Sequence, residues 1–308
     1  MELLATFFDK KFGAENFYTT NPTFNEYEET QNSLVGISTT FHTDKFKIKP
    51  RFYWRRGQDI FLLRRNNPAF YRNLHITNKV GVETNVSYTS KLGITGFGID
   101  ISRVSISSNN LGKRDRMMAN VFLEHRFQLL DTKLDITPGV AITYFSDFKF
   151  HAFPGIDVGY QVSDNLKIYG NLGTTYRIPT YTDLYYADPV TIGNPNLQPE
   201  EAFSQEIGVK FNRVNFSGSM AFFNRDATNL IDYVRPTSLE SIFTATNIVE
   251  VATKGYELDA NYTFKISEFY QKLTIGYSFL DDNIFNKSEN LSRYSLNTLR
   301  HHFTTRFS

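Results

Sequence analysis

Hydrophobic and polar residues alternate with a period of two along most of this chain. In the stretch YELDANYTF (256–264), the even-numbered positions are apolar and the odd-numbered positions are polar. The same division runs through LTIGYSF (273–279) and IDVGYQV (156–162). Because the side chains of a β-strand point alternately to its two faces, this pattern predicts strands with one apolar and one polar face.

The pattern predicts 14 strands and almost no helix. The predicted bounds are 3–8, 31–42, 46–59, 74–89, 92–107, 115–129, 133–146, 148–161, 165–178, 201–212, 214–234, 243–265, 270–281 and 297–308. Most of these strands are longer than the roughly 9–11 residues that a tilted strand needs to cross a bilayer. The sequence therefore predicts an all-β fold, an antiparallel meander with strands of transmembrane length.

The connections between the predicted strands alternate between long and short. The long ones are Asp9–Glu29, Ile60–Asn73, Ser108–Lys113, Pro179–Glu200, Arg235–Ser241 and Asp282–Ser295. The tight turns are HTDK, TSK, LDTK, SDN, NR and KISE, and the short connection at Ser146–Phe148 is an exception among the long ones. Long loops at one end and tight turns at the other are typical of an outer-membrane β-barrel, whereas a soluble sandwich shows no such parity.

Composition supports a β-barrel and excludes several kinds of chemistry. The 29 Phe and 18 Tyr among 308 residues favour strands. A net charge of +1 gives no general attraction to nucleic acid, and the absence of Cys excludes disulfides, thiolate catalysis and Cys-bound zinc. The mean hydropathy of −0.36 fits a barrel, because only every second residue of a strand meets lipid. No catalytic motif is present, so no enzyme activity is expected.

The predicted polar face carries charges that need water, partners or a polar filling. It includes Glu206, Lys210, Glu257 and Asp259. An isolated charge in a dry interior costs many kcal/mol, so in a barrel surrounded by lipid this face lines the interior. The third strand adds a basic column of Lys47, Lys49, Arg51 and Arg55. This column is either a solvated wall or a basic surface that meets the carboxylates of a plug or an anionic ligand.

The stretch YRIPTYTDLYYADPVTIGNPNLQPEEAFSQEIGVKF (176–211) joins two predicted strands through an unusually long connection. Connections of this length in compact domains are usually functional. Pro179 cannot donate to a strand ladder and the GNPN residues (193–196) are turn formers, so the ends of the connection are predicted to be structural. Its middle offers tyrosine rings and carboxylate acceptors to a ligand. The ligand candidates are Tyr181, Asp183, Tyr185, Tyr186 and Asp188.

Acidic residues near the first long connection form a second candidate site. They are Glu26, Glu28 and Glu29, together with Asp59 at the top of the third predicted strand. Carboxylate oxygens of this kind suit calcium. Calcium is therefore a candidate cofactor, and a hydrated acidic loop is the alternative.

Residues 176–211 resemble the mid-barrel signature of TonB-dependent outer-membrane receptors. The family pattern is an aromatic residue with Arg-x-Pro-Thr, then Leu-Tyr, then Gly-Asn-x-x-Leu-x-Pro-Glu, then a strand with Glu two residues before Gly. Its positions here are Tyr176, Arg177, Pro179, Thr180, Leu184, Tyr185, Gly193, Asn194, Leu197, Pro199, Glu200, Glu206 and Gly208. The stretch ATNIVEVATKGYELDANYTF (245–264) is similar to the next hairpin of the family, with Asn247, Gly255, Glu257 and Leu258 in place. The opening DKKFGAENFYT looks like a stretch in relatives of the vitamin B12 receptor.

The resemblance implies a bacterial outer-membrane protein, in contact with lipid, that takes up a scarce large nutrient of the cobalamin or iron-siderophore class. It also implies a 22-strand barrel with a plug, through which the receptor meets the inner-membrane protein TonB. Residues 1–308 match only the barrel part of this description. They are therefore expected to form a partial barrel domain, roughly strands 4 to 17, whose sheet is incompletely closed.

Two other functions fit parts of the pattern. A passive outer-membrane channel of 14 strands matches the strand count, and it requires pairing between the first and last strands. A soluble β-rich binding protein is the other alternative. The loop parity and the charged face of the strands speak against it.

Overall fold

The computed structural model describes residues 1–17, 19, 21, 23–236, 242–285, 290–293 and 298–308. These residues form 17 strands and one short helix. The strands are β1 (Glu2–Gly13), β2 (Tyr27–Ser38), β3 (Phe41–His42), β4 (Phe46–Leu62), β5 (Arg72–Ser90), β6 (Gly93–Ser108), β7 (Gly112–Leu129), β8 (Leu134–Phe145), β9 (Lys149–Ser163), β10 (Leu166–Arg177), β11 (Thr191–Ile192), β12 (Glu200–Arg213), β13 (Phe216–Arg235), β14 (Phe243–Ile266), β15 (Phe269–Phe285), β16 (Leu291–Ser292) and β17 (His301–Phe307). The helix is α1 (Tyr181–Tyr185), and no helix in the described residues is long and apolar enough to cross a membrane.

Fourteen of the strands are long, and three, β3, β11 and β16, have two residues each. Each long strand pairs in antiparallel fashion with the next long strand along the chain, from β1 with β2 to β15 with β17. The predicted meander of 14 strands is therefore confirmed. The period-two pattern does not predict the five-residue helix or the two-residue strands β11 and β16, which lie in predicted connections.

The first two strands extend further at their outer ends than the sequence pattern predicts. β1 continues to Gly13 and β2 begins at Tyr27, which shortens the connection predicted at Asp9–Glu29. The extension is stabilised by pairing, because Lys11 lies opposite Glu29 and its Nζ is 3.4 Å from the carboxylate.

The last two predicted long connections lie only partly within the described residues. β15 continues to Phe285, so the connection predicted at Asp282–Ser295 begins later than expected. Other parts of that connection, and of Arg235–Ser241, lie outside the described residues. Five of the six tight turns lie where the sequence predicts them, whereas the turn predicted at NR lies two residues later, at Val214–Asn215, because Asn212 and Arg213 still pair with β13. In the turn LDTK, for example, Leu130, Asp131 and Thr132 all adopt positive φ angles of 51–68°.

The two faces of the sheet differ as the alternation predicts. Met220, Leu258 and Tyr277 lie side by side across β13, β14 and β15 on the outer face. Met220 is 50% exposed and Leu258 is 38% exposed, so this apolar face is not covered by the chain. Glu257 lies between Ala221 and Ser278 on the opposite, inner face.

The sheet does not close on itself. Within the described residues, β1 pairs only with β2, and β17 pairs only with β15. Each of these two strands therefore has one edge whose backbone N–H and C=O groups have no ladder partner. The expectation of an incompletely closed barrel is confirmed.

Candidate functional site

Residues 178–199, called here the inner segment, connect β10 to β12 and fold against the inner side of the sheet. Leu184 and Leu197 of this segment pack with Tyr233 of β13 and Ala245 of β14. These four side chains are at most 6% exposed. The inner segment is therefore a packed element and not an extended surface loop, because it carries its own hydrophobic contacts to the wall.

The helix α1 begins with a reciprocal pair of capping hydrogen bonds. The Thr180 hydroxyl accepts from the backbone N–H of Asp183 at 3.1 Å, and the Asp183 carboxylate accepts from the Thr180 N–H at 2.9 Å. This capping box satisfies two donors that a helix start would otherwise leave free. The Thr-x-x-Asp spacing of residues 180–183 is the sequence signal that predicts it.

The two ends of the inner segment are joined by an ion pair. The guanidinium of Arg177, the last residue of β10, binds both carboxylate oxygens of Glu200, the first residue of β12. Asp183 lies 3.4 Å from the same guanidinium, and Glu200 also accepts from the backbone N–H of Ile231 at 2.9 Å. This network joins the start and the end of the inner segment, and the structural role of Arg177 and Glu200 stays a prediction.

Two of the predicted ligand tyrosines contact the wall. The hydroxyl of Tyr186 shares a hydrogen bond of 3.0 Å with the hydroxyl of Tyr71, and Asn73 donates to it at 3.4 Å. Burial raises the pKa of Tyr186, and the hydrogen bond with Tyr71 raises it further. Tyr185 lies under the guanidinium of Arg114, whose central carbon is 4.0 Å from the ring centroid. Cation–π stacking of this kind fixes the plane of a tyrosine ring.

The third tyrosine, Tyr181, keeps a hydroxyl group that is not used by the described part of the chain. Its ring stacks on Tyr185 with centroids 6.5 Å apart, and the guanidinium of Arg116 lies 5.0 Å from its centroid. Its hydroxyl oxygen is buried and makes no hydrogen bond to any described residue. Burial raises the pKa of this hydroxyl. The polar tip of Tyr181 is thus buried and unpaired within the described part of the chain.

Asp188 begins a small hairpin within the inner segment. Its carboxylate accepts from the backbone N–H of Val190 at 2.8 Å, as in an Asx turn. Ala187 pairs with Ile192 across the hairpin, and β11 (Thr191–Ile192) pairs in parallel with the start of β14. The carboxylate predicted as a ligand group is therefore engaged in a turn.

The GNPN turn lies against α1. The backbone N–H of Asn194 donates to the carbonyl of Asp183 at 2.8 Å, and its side chain accepts from the N–H of Asn196 at 3.0 Å. Gly193 approaches the helix backbone closely, and Pro199 is half-buried just before β12. These contacts, with buried Leu197, hold the turn against the helix, and the structural role of the motif stays a prediction.

Arg116 and Asp147 belong to this site although the sequence analysis does not single them out. Arg116 is 7% exposed, and its guanidinium meets the carboxylate of Asp147 at 2.7 Å. It also donates to the carbonyl of Pro179 at 3.2 Å. Strand alternation places Arg116 on the polar face, but nothing in the sequence indicates which partners it meets there.

Three other motif residues lie in the wall, away from the inner segment. Glu206 in β12 lies opposite Asn171 and Phe223. Gly255 in β14 is enclosed, since an added β-carbon would lie 2.6 Å from the ring of Phe223. Together with Glu257 on the inner face, they shape the wall itself.

The structure does not bring the four acidic calcium candidates together. Glu28 and Glu29 are consecutive in β2 and therefore point to opposite faces, and Glu29 pairs with Lys11. Asp59 lies opposite Thr30 and therefore shares a face with Glu28, near enough for the two charges to repel each other, and Glu26 is buried before β2 begins. No group of three or more His, Cys, Asp or Glu side chains in the described ranges is arranged to hold a metal. Calcium binding stays a prediction.

The basic column of β4 is partly neutralised within the wall. Lys49 Nζ lies 3.5 Å from Glu2, and Arg51 lies 3.2 Å from Glu83. Arg55, in contrast, lies directly opposite another cation, Lys79 of β5. These side chains line a groove of about 520 Å³ on the inner side.

An unclosed antiparallel meander with an apolar outer face, a charged inner face and long loops at one end defines the wall of an outer-membrane β-barrel. The chain matches the family model described as "TonB dependent receptor-like, beta-barrel" over residues 4–307. It belongs to this family of bacterial outer-membrane transport proteins.

Similar proteins agree with this assignment. The chain is 28% identical to Vitamin B12 transporter BtuB of Vibrio vulnificus (strain YJ016) over 123 residues, 40% of this chain and 19% of the transporter. It is 23% identical to the ferrienterobactin receptor of Escherichia coli (strain K12) over 248 residues, 71% of this chain and 32% of the receptor. It also shares its fold with the Serratia marcescens hemophore receptor HasR, with a TM-score of 0.73 at 14% identity, over 91% of this chain and 51% of HasR. The chain thus spans about half of that receptor and less of the curated relatives.

Proposed function

We propose that this chain forms part of the wall and outer loops of a receptor for a scarce nutrient too large for porins, a cobalamin or a metal chelate of the iron-siderophore class. The observation that carries the proposal is the family match over residues 4–307. The printed names of the relatives, a vitamin B12 transporter and a ferrienterobactin receptor, supply the ligand classes.

The two faces of the wall have different roles in this proposal. The apolar outer face, with side chains such as Leu258 and Met220, contacts lipid, because exposed apolar surface is stable only away from water. The charged inner face lines the passage and meets a polar plug. TonB acts on that plug and supplies energy from the inner-membrane proton gradient, so the wall itself does not contact TonB.

The inner segment is the ligand-capturing element of this wall. Tyr181 and Tyr185 present stacked rings, and the buried hydroxyl of Tyr181 has no hydrogen-bond partner within the described structure. Aromatic faces with polar tips bind large ligands that are themselves partly apolar. Asp183, Tyr186 and Asp188 act through the conformation of the segment, because their polar groups are already engaged.

Uptake assays on the complete receptor test this proposal. Cells that lack the receptor gene are compared with cells that carry it, using labelled cyanocobalamin, ferric enterobactin and haem, each with and without a functional TonB. We expect receptor-dependent accumulation of cyanocobalamin or ferric enterobactin, lost when TonB is removed. Absence of receptor-dependent uptake of both cyanocobalamin and ferric enterobactin would contradict the proposed ligand classes, and uptake of haem alone would do the same.

The same assay separates the receptor from a passive channel. Uptake that persists without TonB would indicate a passive channel. The unclosed sheet already favours the receptor, because a 14-strand channel requires β1 to pair with β17.

A further inference from the structure

Arg116 is a buried cation on the inner side of the wall. Its neighbour Met117 is 51% exposed on the outer face, so strand alternation directs Arg116 inward. Only 7% of Arg116 is exposed, and Phe148 and Tyr181 flank its guanidinium at 5.3 and 5.0 Å. A charge this deeply buried requires a partner, which Asp147 supplies at 2.7 Å.

The guanidinium of Arg116 connects three parts of the chain that are distant in sequence. Its own strand is β7, Asp147 lies in the connection between β8 and β9, and Pro179 is the second residue of the inner segment. Nε donates to both oxygens of Asp147 at 2.7 and 3.0 Å, and Nη2 donates to the carbonyl of Pro179 at 3.2 Å. The planar fork of an arginine can hold two acceptors in fixed directions, which a lysine cannot.

The far part of the inner segment bridges two separate regions of the wall. The backbone of Ala187 exchanges two hydrogen bonds, at 2.7 and 3.2 Å, with the side chain of Asn110, which lies just before β7. On its other side Ala187 pairs with Ile192, which pairs with Thr244 in β14.

This short bridge shows that the inner segment crosses the interior. Along the sheet, β7 and β14 are six interstrand steps apart, a path of about 29 Å at about 4.8 Å per step. Through the hairpin the same two regions are joined by two interstrand steps and the contact between Ala187 and Asn110. This path is shorter than about 20 Å. The inner segment therefore runs across the space enclosed by the curved wall, at the end of the wall that carries the long connections.

We propose that Arg116 is a positioning residue that holds the inner segment across the opening of the barrel and so sets the placement of the Tyr181 and Tyr185 rings. The ligand role of these rings rests on the function proposed above; the positioning by Arg116 does not. Arg116 fixes the segment at its start, through Pro179, and contacts the Tyr181 ring directly.

Spin labelling of the complete receptor in its outer membrane tests the positioning. Thr182 is exposed on α1, and this chain has no Cys, so Thr182→Cys gives one label in these residues once any other cysteines of the receptor are replaced. We expect an immobilised label in the otherwise unchanged receptor. Arg116→Gln should shift the spectrum to a mobile form, because the link to Asp147 and Pro179 is lost.

Arg103→Gln is the matched control. Arg103 forms a similar pair with Asp115 at 2.9 Å between β6 and β7, but both side chains are more than half exposed and the inner segment is not involved. The label should stay immobilised in this variant. An equal shift in the Arg103 variant would overturn the proposal, since the change would then reflect general loosening of the wall.

Arg116→Lys keeps the proposal testable if Arg116→Gln does not reach the outer membrane. A lysine ammonium is a point charge without the fixed planar fork, so it holds Asp147 and Pro179 in less defined directions and an intermediate spectrum is expected. An unchanged immobilised spectrum in the folded Arg116 variants would overturn the proposal.

Because this readout needs no ligand, it stands or fails independently of the uptake assay. Where a ligand is found, weaker binding in the Arg116 variants, with no change for Arg103→Gln, is the further expected result.

Discussion

Gly193 lies so close to the carbonyl of Asp183 that an added β-carbon would be 2.8 Å from that oxygen. The backbone of Gly193 also donates to the carbonyl of Tyr186 at 2.7 Å. The glycine of the GNPN turn is therefore where two stretches of main chain touch, and it clamps the turn to α1. Only glycine permits this approach without displacing backbone.

Replacing Gly193 should loosen this clamp. Gly193→Ala is expected to lower the free energy of unfolding by about 1–3 kcal/mol, because the atoms in the way are backbone and cannot rotate aside. Gly173→Ala in β10 is the control, since nothing lies within 4 Å of its added β-carbon. Denaturant unfolding of the complete receptor compares the two. Unfolding curves with the same midpoint and the same slope for Gly193→Ala and Gly173→Ala would contradict the prediction.

Asn247 links the end of the inner segment to the wall through three hydrogen bonds. Its amide donates to the carbonyls of Gln198 and Asn229 at 2.8 and 2.7 Å, and its carbonyl accepts from the N–H of Gln198 at 2.8 Å. Asn247→Asp places a carboxylate oxygen against two carbonyls, so a loss of about 1–3 kcal/mol of stability is expected.

The matched control for Asn247 is Asn261→Asp. The side-chain oxygen of Asn261 accepts from the hydroxyl of Thr274 at 2.9 Å, and an aspartate can still accept this bond. Unfolding of the two variants is followed under the same conditions at neutral pH. A loss in Asn261→Asp as large as that in Asn247→Asp would show that the added charge, and not the lost donor, is responsible.

The contact between Tyr186 and Tyr71 should weaken at alkaline pH. Burial and the hydrogen bond with Tyr71 raise the pKa of Tyr186 above the ordinary tyrosine value of about 10. The neutral hydroxyl is thus favoured in the folded state, and its contribution is fully present below about pH 10 and lost as pH rises through the raised pKa. A spin label on α1 should become mobile at high pH.

Tyr186→Phe separates this effect from general alkaline unfolding. The variant lacks the ionisable hydroxyl, so the label should be more mobile at neutral pH and its mobility should depend less on pH. An identical pH profile in both proteins would assign the change to other groups.

Sequence reasoning predicts the wall well because one physical signal dominates it. A lipid-facing strand must be apolar at every second position, so the number of strands and their facing can be read from stretches such as 256–264. The extra length of β1 and β2 is not visible in this way. Above the lipid both faces are polar, and pairing there depends on partners such as Lys11 and Glu29.

The inner segment shows where sequence reasoning reaches its limit. The motif residues were identifiable by resemblance, and the capping box of Thr180 and Asp183 has a local signal. The contacts that position the segment, Arg116 with Asp147 and Tyr186 with Tyr71, join residues 31 and 115 positions apart. No local pattern specifies such pairs, because they depend on how the wall curves.

The facing of the strands predicts a large asymmetry between two substitutions in β14. Leu258 lies on the apolar outer face beside Met220 and Tyr277, and Asn261 lies on the inner face bonded to Thr274. Leu258→Arg should destabilise the reconstituted complete receptor by about 2–4 kcal/mol if it lies near the middle of the bilayer, whereas Asn261→Arg meets water in the lumen and should cost far less. Unfolding free energies of the two variants in the same lipid give the comparison. Equal losses would contradict the assignment of outer and inner faces on which the lipid contact proposed for this wall depends.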